Sequence, residues 1–209
     1  MTALSRSPFS GPRACALAVT LAAVSLLGGC AVLAGGAMVG SALSATDRRS
    51  TGTQVEDQSI ELKVSNRVSG AVGDRGHVNV TSYNRTVLIT GEVASEADRL
   101  AVERAISGIE QVRATVNELA VMGNSTLTVR SNDTYLTSKV KAAFIDAKDL
   151  QVNTLKVVTE RSTVYLMGRV TEREATRAAD VARGQSGVGK VVKVFELISE
   201  ADLAQIRTR

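Results

Sequence analysis

Val87-Leu88-Ile89-Thr90-Gly91-Glu92-Val93 recurs as Val164-Tyr165-Leu166-Met167-Gly168-Arg169-Val170, a shift of 77 positions that holds for Val87/Val164, Gly91/Gly168 and Val93/Val170 alike. The match extends outward in both directions. Ala94-Ser95-Glu96-Ala97-Asp98 opens a helical pattern, as Thr171-Glu172-Arg173-Glu174-Ala175 does. Upstream, Asp57 to Val64 aligns with Asp133 to Val140 at a shift of 76, and downstream Val112-Arg113-Ala114-Thr115-Val116 faces Val188-Gly189-Lys190-Val191-Val192. A duplicated unit accounts for most of the chain, and it settles the domain count before any other reading.

Within each unit the apolar spacing gives the order of elements. Ile60, Val64 and Val68 recur at i, i+4 and i+8, one face of an amphipathic helix, and Leu136, Val140 and Phe144 repeat that stripe. Val78, Val80 and Ser82, then Val87-Leu88-Ile89, flank the polar stretch Tyr83-Asn84-Arg85-Thr86 and read as a hairpin. Ser95 stands where a helix N-cap belongs, its hydroxyl placed to accept a free N–H of the first turn. A helix to Gly108 and a strand from Val112 to Val121 complete the unit. The second copy predicts a helix over 132–147, strands over 154–160 and 163–170, a helix over 172–183 and a strand over 188–198. Each unit is therefore α-β-β-α-β, an α+β fold with helices on one face of a three-stranded sheet and a right-handed crossover. The repeated Gly91 and Gly168 are expected where a side chain would clash.

Arg6 and Arg13 are the only charges before Cys30, and Cys15 to Leu27 is apolar apart from Thr20 and Ser25. A positive start, a short apolar run and Leu27-Gly28-Gly29-Cys30 read as a signal peptide over 1–29 that is too short to span a bilayer. An anchor helix running on to Leu43 and an ordinary secretory signal are the competing readings. The expected organisation is a tether over 30–53, a first domain over 54–122, a linker over 123–130, a second domain over 131–198 and a tail over 199–209 that starts a short helix at Ser199-Glu200-Ala201-Asp202. At this size each domain's core is marginal alone, so the two are expected to share surface.

After Cys30 the chain carries 23 basic and 21 acidic residues, a near balance that argues against a general polyanion binder. Aromatic residues make up 3% with no Trp, few stacking platforms for nucleic acid. His77, the only histidine, has Asn153 as its counterpart and reads as a solvated strand-edge residue. Glu56, Asp57 and Glu61 share a helix face and read as a charged solvent surface. Gly73-x-x-Gly76 lacks the strand-turn-helix setting of a phosphate loop. No nucleophile–base pair, metal-ligand set or cofactor motif emerges within either repeat, so neither catalysis, a metal nor a cofactor is expected.

Comparison of the copies singles out one helix. Ser59, Ser65 and Ser69 become Tyr135, Lys141 and Ile145, and Lys139 follows Tyr135 by one turn. A ring with a polar end beside ammonium groups suits a lipid headgroup boundary. Packing of Tyr135 on the other domain is the equal alternative.

The whole pattern resembles the BON domain. The residues that carry the resemblance are V-x-L-x-G-x-V closing the second strand, the helix after it and the Val-rich last strand. Two such domains behind Leu27-Gly28-Gly29-Cys30 resemble the dual-BON outer-membrane lipoproteins, as do Asp47-Arg48-Arg49 and Asn132-Asp133-Thr134. The resemblance implies diacylglycerol attachment at Cys30 and a periplasm-facing outer-membrane location, with Ala31 in place of the Asp that favours inner-membrane retention. It further implies anionic phospholipid binding through the first helix of the second domain, where Tyr135 takes the place of a family aromatic, in support of envelope integrity. Lys139, Lys141 and Ile145 are the further contacts expected from comparing the copies. The competing function is a protein-interaction module that docks or regulates an envelope assembly factor or hydrolase.

Overall fold

The computed structural model describes residues 47–207, which belong to one compact unit. The expected signal peptide, Cys30 and most of the tether lie outside the described residues. The first repeat is α1 (Thr51–Val72), a 3-10 turn (Gly73–Arg75), β1 (Gly76–Tyr83), β2 (Thr86–Val93), α2 (Glu96–Ile106) and β3 (Ala114–Val121). The second is α3 (Leu127–Asp146), a 3-10 turn (Val152–Thr154), β4 (Leu155–Glu160), β5 (Thr163–Val170), α4 (Glu172–Arg183) and β6 (Lys190–Leu197), followed by α5 (Glu200–Arg207) in the tail. Both sheets have the same topology: the second strand is central, antiparallel to the first and parallel to the third.

The two hairpin turns explain that regularity. Asn84 and Arg85 have φ of 48° and 64°, and Arg161 and Ser162 have 50° and 58°, the left-handed pair of a two-residue I′ turn. None of the four is glycine, so the conformation needs outside support. Asp57 supplies it in the first copy, accepting the backbone N–H groups of Asn84 and Arg85 at 2.8 Å each. Asp133 does the same for Arg161 and Ser162, also at 2.8 Å. The expected solvent face of α1 is thus a set of holdfasts: Asp57 is buried, Glu56 accepts from Arg85 and Glu61 from the Ser82 N–H.

Each sheet has two covered faces. Val87, Ile89 and Val93 point toward Ile60, Val64 and Val68 of α1 and Val102 and Ile106 of α2. Val164 and Leu166 point toward Val140 and Phe144 of α3 and Ala178, Ala179 and Ala182 of α4. Because side chains alternate along a strand, Leu88 and Tyr83 in the first sheet and Tyr165 and Met167 in the second face the other way. They meet in a third buried cluster with Val116, Val158, Val192 and Val194 around it. The order of layers is therefore helices, sheet, sheet, helices, and the shared surface is the pair of sheet backs.

Gly91 and Gly168 sit where the first strand's backbone crosses close to the second. A Cβ on Gly91 would lie 1.9 Å from the His77 carbonyl oxygen, and one on Gly168 would lie 2.5 Å from that of Thr154. Both were expected to exclude a side chain, and both do.

Two boundaries differ from expectation. α1 starts at Thr51 with Ser50 as its N-cap, and α3 starts at Leu127 with Thr126 as its N-cap, so each helix absorbs residues read as tether or linker. The end of the tether is also packed. Arg48 is buried and donates to both oxygens of Glu174 at 2.7 Å, and to the Arg169 carbonyl oxygen. Glu174 closes the capping box of α4 with Thr171. Burial would raise the Glu174 pKa, but the Arg48 guanidinium and the Thr171 N–H hold it below its ordinary value. Arg49 next to it donates to Asp57 at 2.8 Å and lies 4.0 Å over the Tyr83 ring, so composition rich in Gly, Ala and Ser hid a strap held by two arginines, one on each domain.

Candidate functional site

α3 carries the residues singled out by copy comparison. Its inward face is Asp133, Leu136, Val140 and Phe144, all buried. Helical spacing places Leu127, Tyr135, Ala142 and Ile145 on the outward side, and all four are exposed. Tyr135 is 64% exposed, Ile145 67% and Leu127 78%, well above what a packed apolar side chain retains. Tyr135 is therefore no part of the junction between the domains, which is built from the sheet backs.

The two lysines flank this crest on opposite sides and differ in their engagements. Lys141 is exposed. Lys139 is half-buried, and its ammonium donates to the Ser186 carbonyl oxygen at 3.0 Å and to the Ser186 hydroxyl. Asp146, in the last turn, is the only acid among the exposed residues of α3. Beside Lys139 a shallow groove of about 610 Å³ runs between α3 and α4, lined by Ala142, Asp146, Arg177 and Gln185 among others. Arg177 on its far wall pairs with Asp149 at 2.9 Å, both partly exposed.

The first copy's α1 offers a different surface. Ser59 and Ser65 are half-buried and Ser69 exposed, while Val55 and Leu62 protrude at 61% and 68% exposure. No aromatic residue lies on α1.

The junction holds charged groups that sequence reasoning left in solvent or did not consider. Glu92 is fully buried on the sheet back, accepting from Arg161 Nη1 at 3.1 Å and from the Ser125 N–H at 3.2 Å. His77, read as a solvated strand-edge residue, is only partly exposed, and its Nδ1 is buried without a hydrogen-bond partner, 3.7 Å from Glu92 Oε2. Burial and nearby Arg130 lower the His77 pKa. Glu160 is buried as well, accepting from Asn79 Nδ2 at 2.8 Å, and burial raises its pKa. Further along, Lys156 reaches Glu61 at 2.8 Å and Arg113 reaches Glu196 at 2.8 Å, so ion pairs ring the apolar contact. Among the described residues no helix is long and apolar enough to cross a membrane.

The sequence and this architecture agree with what known proteins show. The BON domain is matched twice, over residues 56–123 and 132–199. The chain is 39% identical over 187 residues to the outer membrane lipoprotein DolP of Haemophilus influenzae, covering 87% of this chain and 95% of that one. It is 30% identical over 154 residues to a 21 kDa hemolysin of Actinobacillus pleuropneumoniae, covering 73% of this chain and 79% of that one.

Proposed function

The chain belongs to the BON-domain family, and from that premise we propose that this outer-membrane lipoprotein is anchored through acyl chains on Cys30 and lays the outward face of α3 on anionic phospholipid, supporting envelope integrity by binding rather than by catalysis. One observation carries the reading: Tyr135 and Ile145 stand exposed on the second domain where the first domain has serines. An exposed ring and aliphatic crest is costly in water and favourable at an interface, where the ring enters the acyl boundary and the phenol stays among headgroups. Lys141 on one flank and Lys139 on the other put positive charge at headgroup level. Two or more acyl chains at Cys30 give stable anchorage, since a single chain is only a marginal anchor.

The test is flotation of an unlipidated chain lacking Cys30 with vesicles of phosphatidylglycerol and phosphatidylethanolamine. The wild-type sequence is expected to float, and Tyr135→Ser to lose roughly five- to tenfold in affinity at low and high salt alike, because apolar insertion is not screened. Equal flotation of the two proteins would sink the assignment and favour a protein partner instead. The protruding Val55 and Leu62 of α1 are where such a partner would be sought.

A further inference from the structure

We propose that His77, Glu92 and Glu160 bind one divalent transition-metal cation of the zinc class across the junction between the two domains. The three side chains come from both repeats: His77 and Glu92 face each other across β1 and β2, and Glu160 ends β4. A ligand atom from each lies within 4.8 Å of the others. Ligand atoms around a tetrahedral zinc stand about 3.4 Å apart, given metal–ligand distances of roughly 2.0–2.2 Å, so small side-chain rotations close the set. The His77 Nδ1 to Glu92 Oε2 separation is already 3.7 Å.

Three independent features point to a cation here. His77 Nδ1 is buried and unpartnered, an arrangement that costs free energy unless something occupies its lone pair or proton. Glu92 is a fully buried acid where the second copy has the half-buried Arg169, and His77 stands where the structure puts Thr154 in that copy, not the Asn153 expected from sequence. The second copy places neither an acid nor an imidazole at these two positions, and its Arg169 pairs with Glu196 instead. Around the site, Glu92, Glu160 and Asp133 face Arg130 and Arg161, leaving one carboxylate in excess.

Arg161 engages Glu92 through Oε1, while Oε2, the oxygen nearer His77, accepts one bond from the Ser125 N–H at 3.2 Å and keeps a second lone pair. A cleft of about 380 Å³, lined by His77, Asn79, Arg130, Asp133 and Glu160 among others, gives access from solvent. One imidazole nitrogen with two carboxylates suits a borderline cation such as Zn²⁺ or Co²⁺ better than Mg²⁺ or Ca²⁺, which take oxygen ligands almost exclusively. A fourth position is left for water. A cation held this way ties β1 and β2 of one domain to β4 of the other.

The experiment uses the full-length lipoprotein in detergent, stripped with a chelator and titrated with Zn²⁺ by calorimetry. One equivalent per chain is expected, with a Kd of micromolar or tighter. Saturating Zn²⁺ is expected to raise Tm by roughly 5 °C, the shift that folded-state binding confers on a chain of this size. His77→Ala and Glu160→Gln should each weaken binding tenfold or more, and Co²⁺ should give the visible absorption of a four-coordinate N/O site. Because His77 is the only histidine, movement of the single imidazole resonance on adding Zn²⁺ reports this site and no other. Binding weaker than about 100 µM, or unaltered by both substitutions, overturns the proposal. No lipid enters the measurement, so its failure leaves the reading of α3 standing.

Discussion

α1 and α3 bury the same three positions, Ile60, Val64 and Val68 in one and Leu136, Val140 and Phe144 in the other, and each plants an aspartate under its hairpin. Their remaining surfaces diverge. α1 spends Glu56 and Glu61 on the hairpin and on Lys156 of the second domain, whereas α3 turns Tyr135 and Ile145 to solvent. In a duplicated protein, inward faces are held by a shared core while outward faces are free to specialise. Both copies build the junction with their sheet backs, but of the two helices α1 also reaches across it through Glu61, whereas α3 carries the exposed ring.

The repeated glycines give the strongest way to break that symmetry. Gly91 has φ of 113° and its absent Cβ would overlap the His77 carbonyl oxygen at 1.9 Å, while at Gly168 the overlap is 2.5 Å. Both contacts are with backbone, which cannot rotate aside. Gly91→Val is expected to cost more than about 4 kcal/mol and Gly168→Val about 2–3 kcal/mol. Denaturant unfolding of the two variants measures the difference, and equal costs would show that both strands shift as rigid units.

The aspartate pair sharpens the comparison at lower amplitude. Asp57 accepts from two backbone N–H groups, Ser82 Oγ and Arg49 Nη1, whereas the bonds to Asp133 are the two N–H groups of its turn. Asp57→Asn should therefore cost about 2–3 kcal/mol and Asp133→Asn about 1–2 kcal/mol. The pH dependence follows with its sign. Burial would raise the Asp57 pKa, but the Arg85 N–H, Ser82 and Arg49 hold it below the ordinary 3.8. Its contribution is complete above that value and is lost as pH falls through the depressed folded-state pKa. Melting curves from pH 5 down to pH 2 should show a shallower acid loss for Asp57→Asn than for wild type, and parallel curves would remove Asp57 from the account.

The duplication made the elements legible, down to helix 172–183 and strand 163–170, because core spacing and caps are local. The junction was not. A central strand covered on both faces loses its alternation, so Val87-Leu88-Ile89 and Val164-Tyr165-Leu166-Met167 read as plain apolar runs with no sign of which residues face the partner sheet. Asp57 looked solvated because its partners, the turn N–H groups, come from 27 and 28 residues away. The signal that could have found it was Asp57 recurring as Asp133 beside serines that had changed. Glu92 beside Arg169 was the corresponding clue for the junction. The exposed residues of α3 were legible by the same comparison, but the bond from Lys139 to Ser186 was not, since it joins positions 47 apart.

That bond separates the two lysines in the smallest expected effect. A lysine near an anionic surface contributes about 1 kcal/mol, roughly fivefold in affinity, and salt screens it. Lys141 is exposed on the flank nearer Ile145, so Lys141→Ala should cost close to that full amount at low salt and little at high salt. Lys139 must give up the Ser186 carbonyl and hydroxyl before its ammonium can pair with phosphate. Part of its attraction offsets that loss, so Lys139→Ala should weaken vesicle binding by about twofold or less at low salt. Flotation of the two variants across a salt series reads both values, with Tyr135→Ser as the salt-independent reference. A low-salt loss for Lys139→Ala as large as for Lys141→Ala would mean that the Ser186 bond opens on the membrane and that the groove beside Lys139 takes a headgroup.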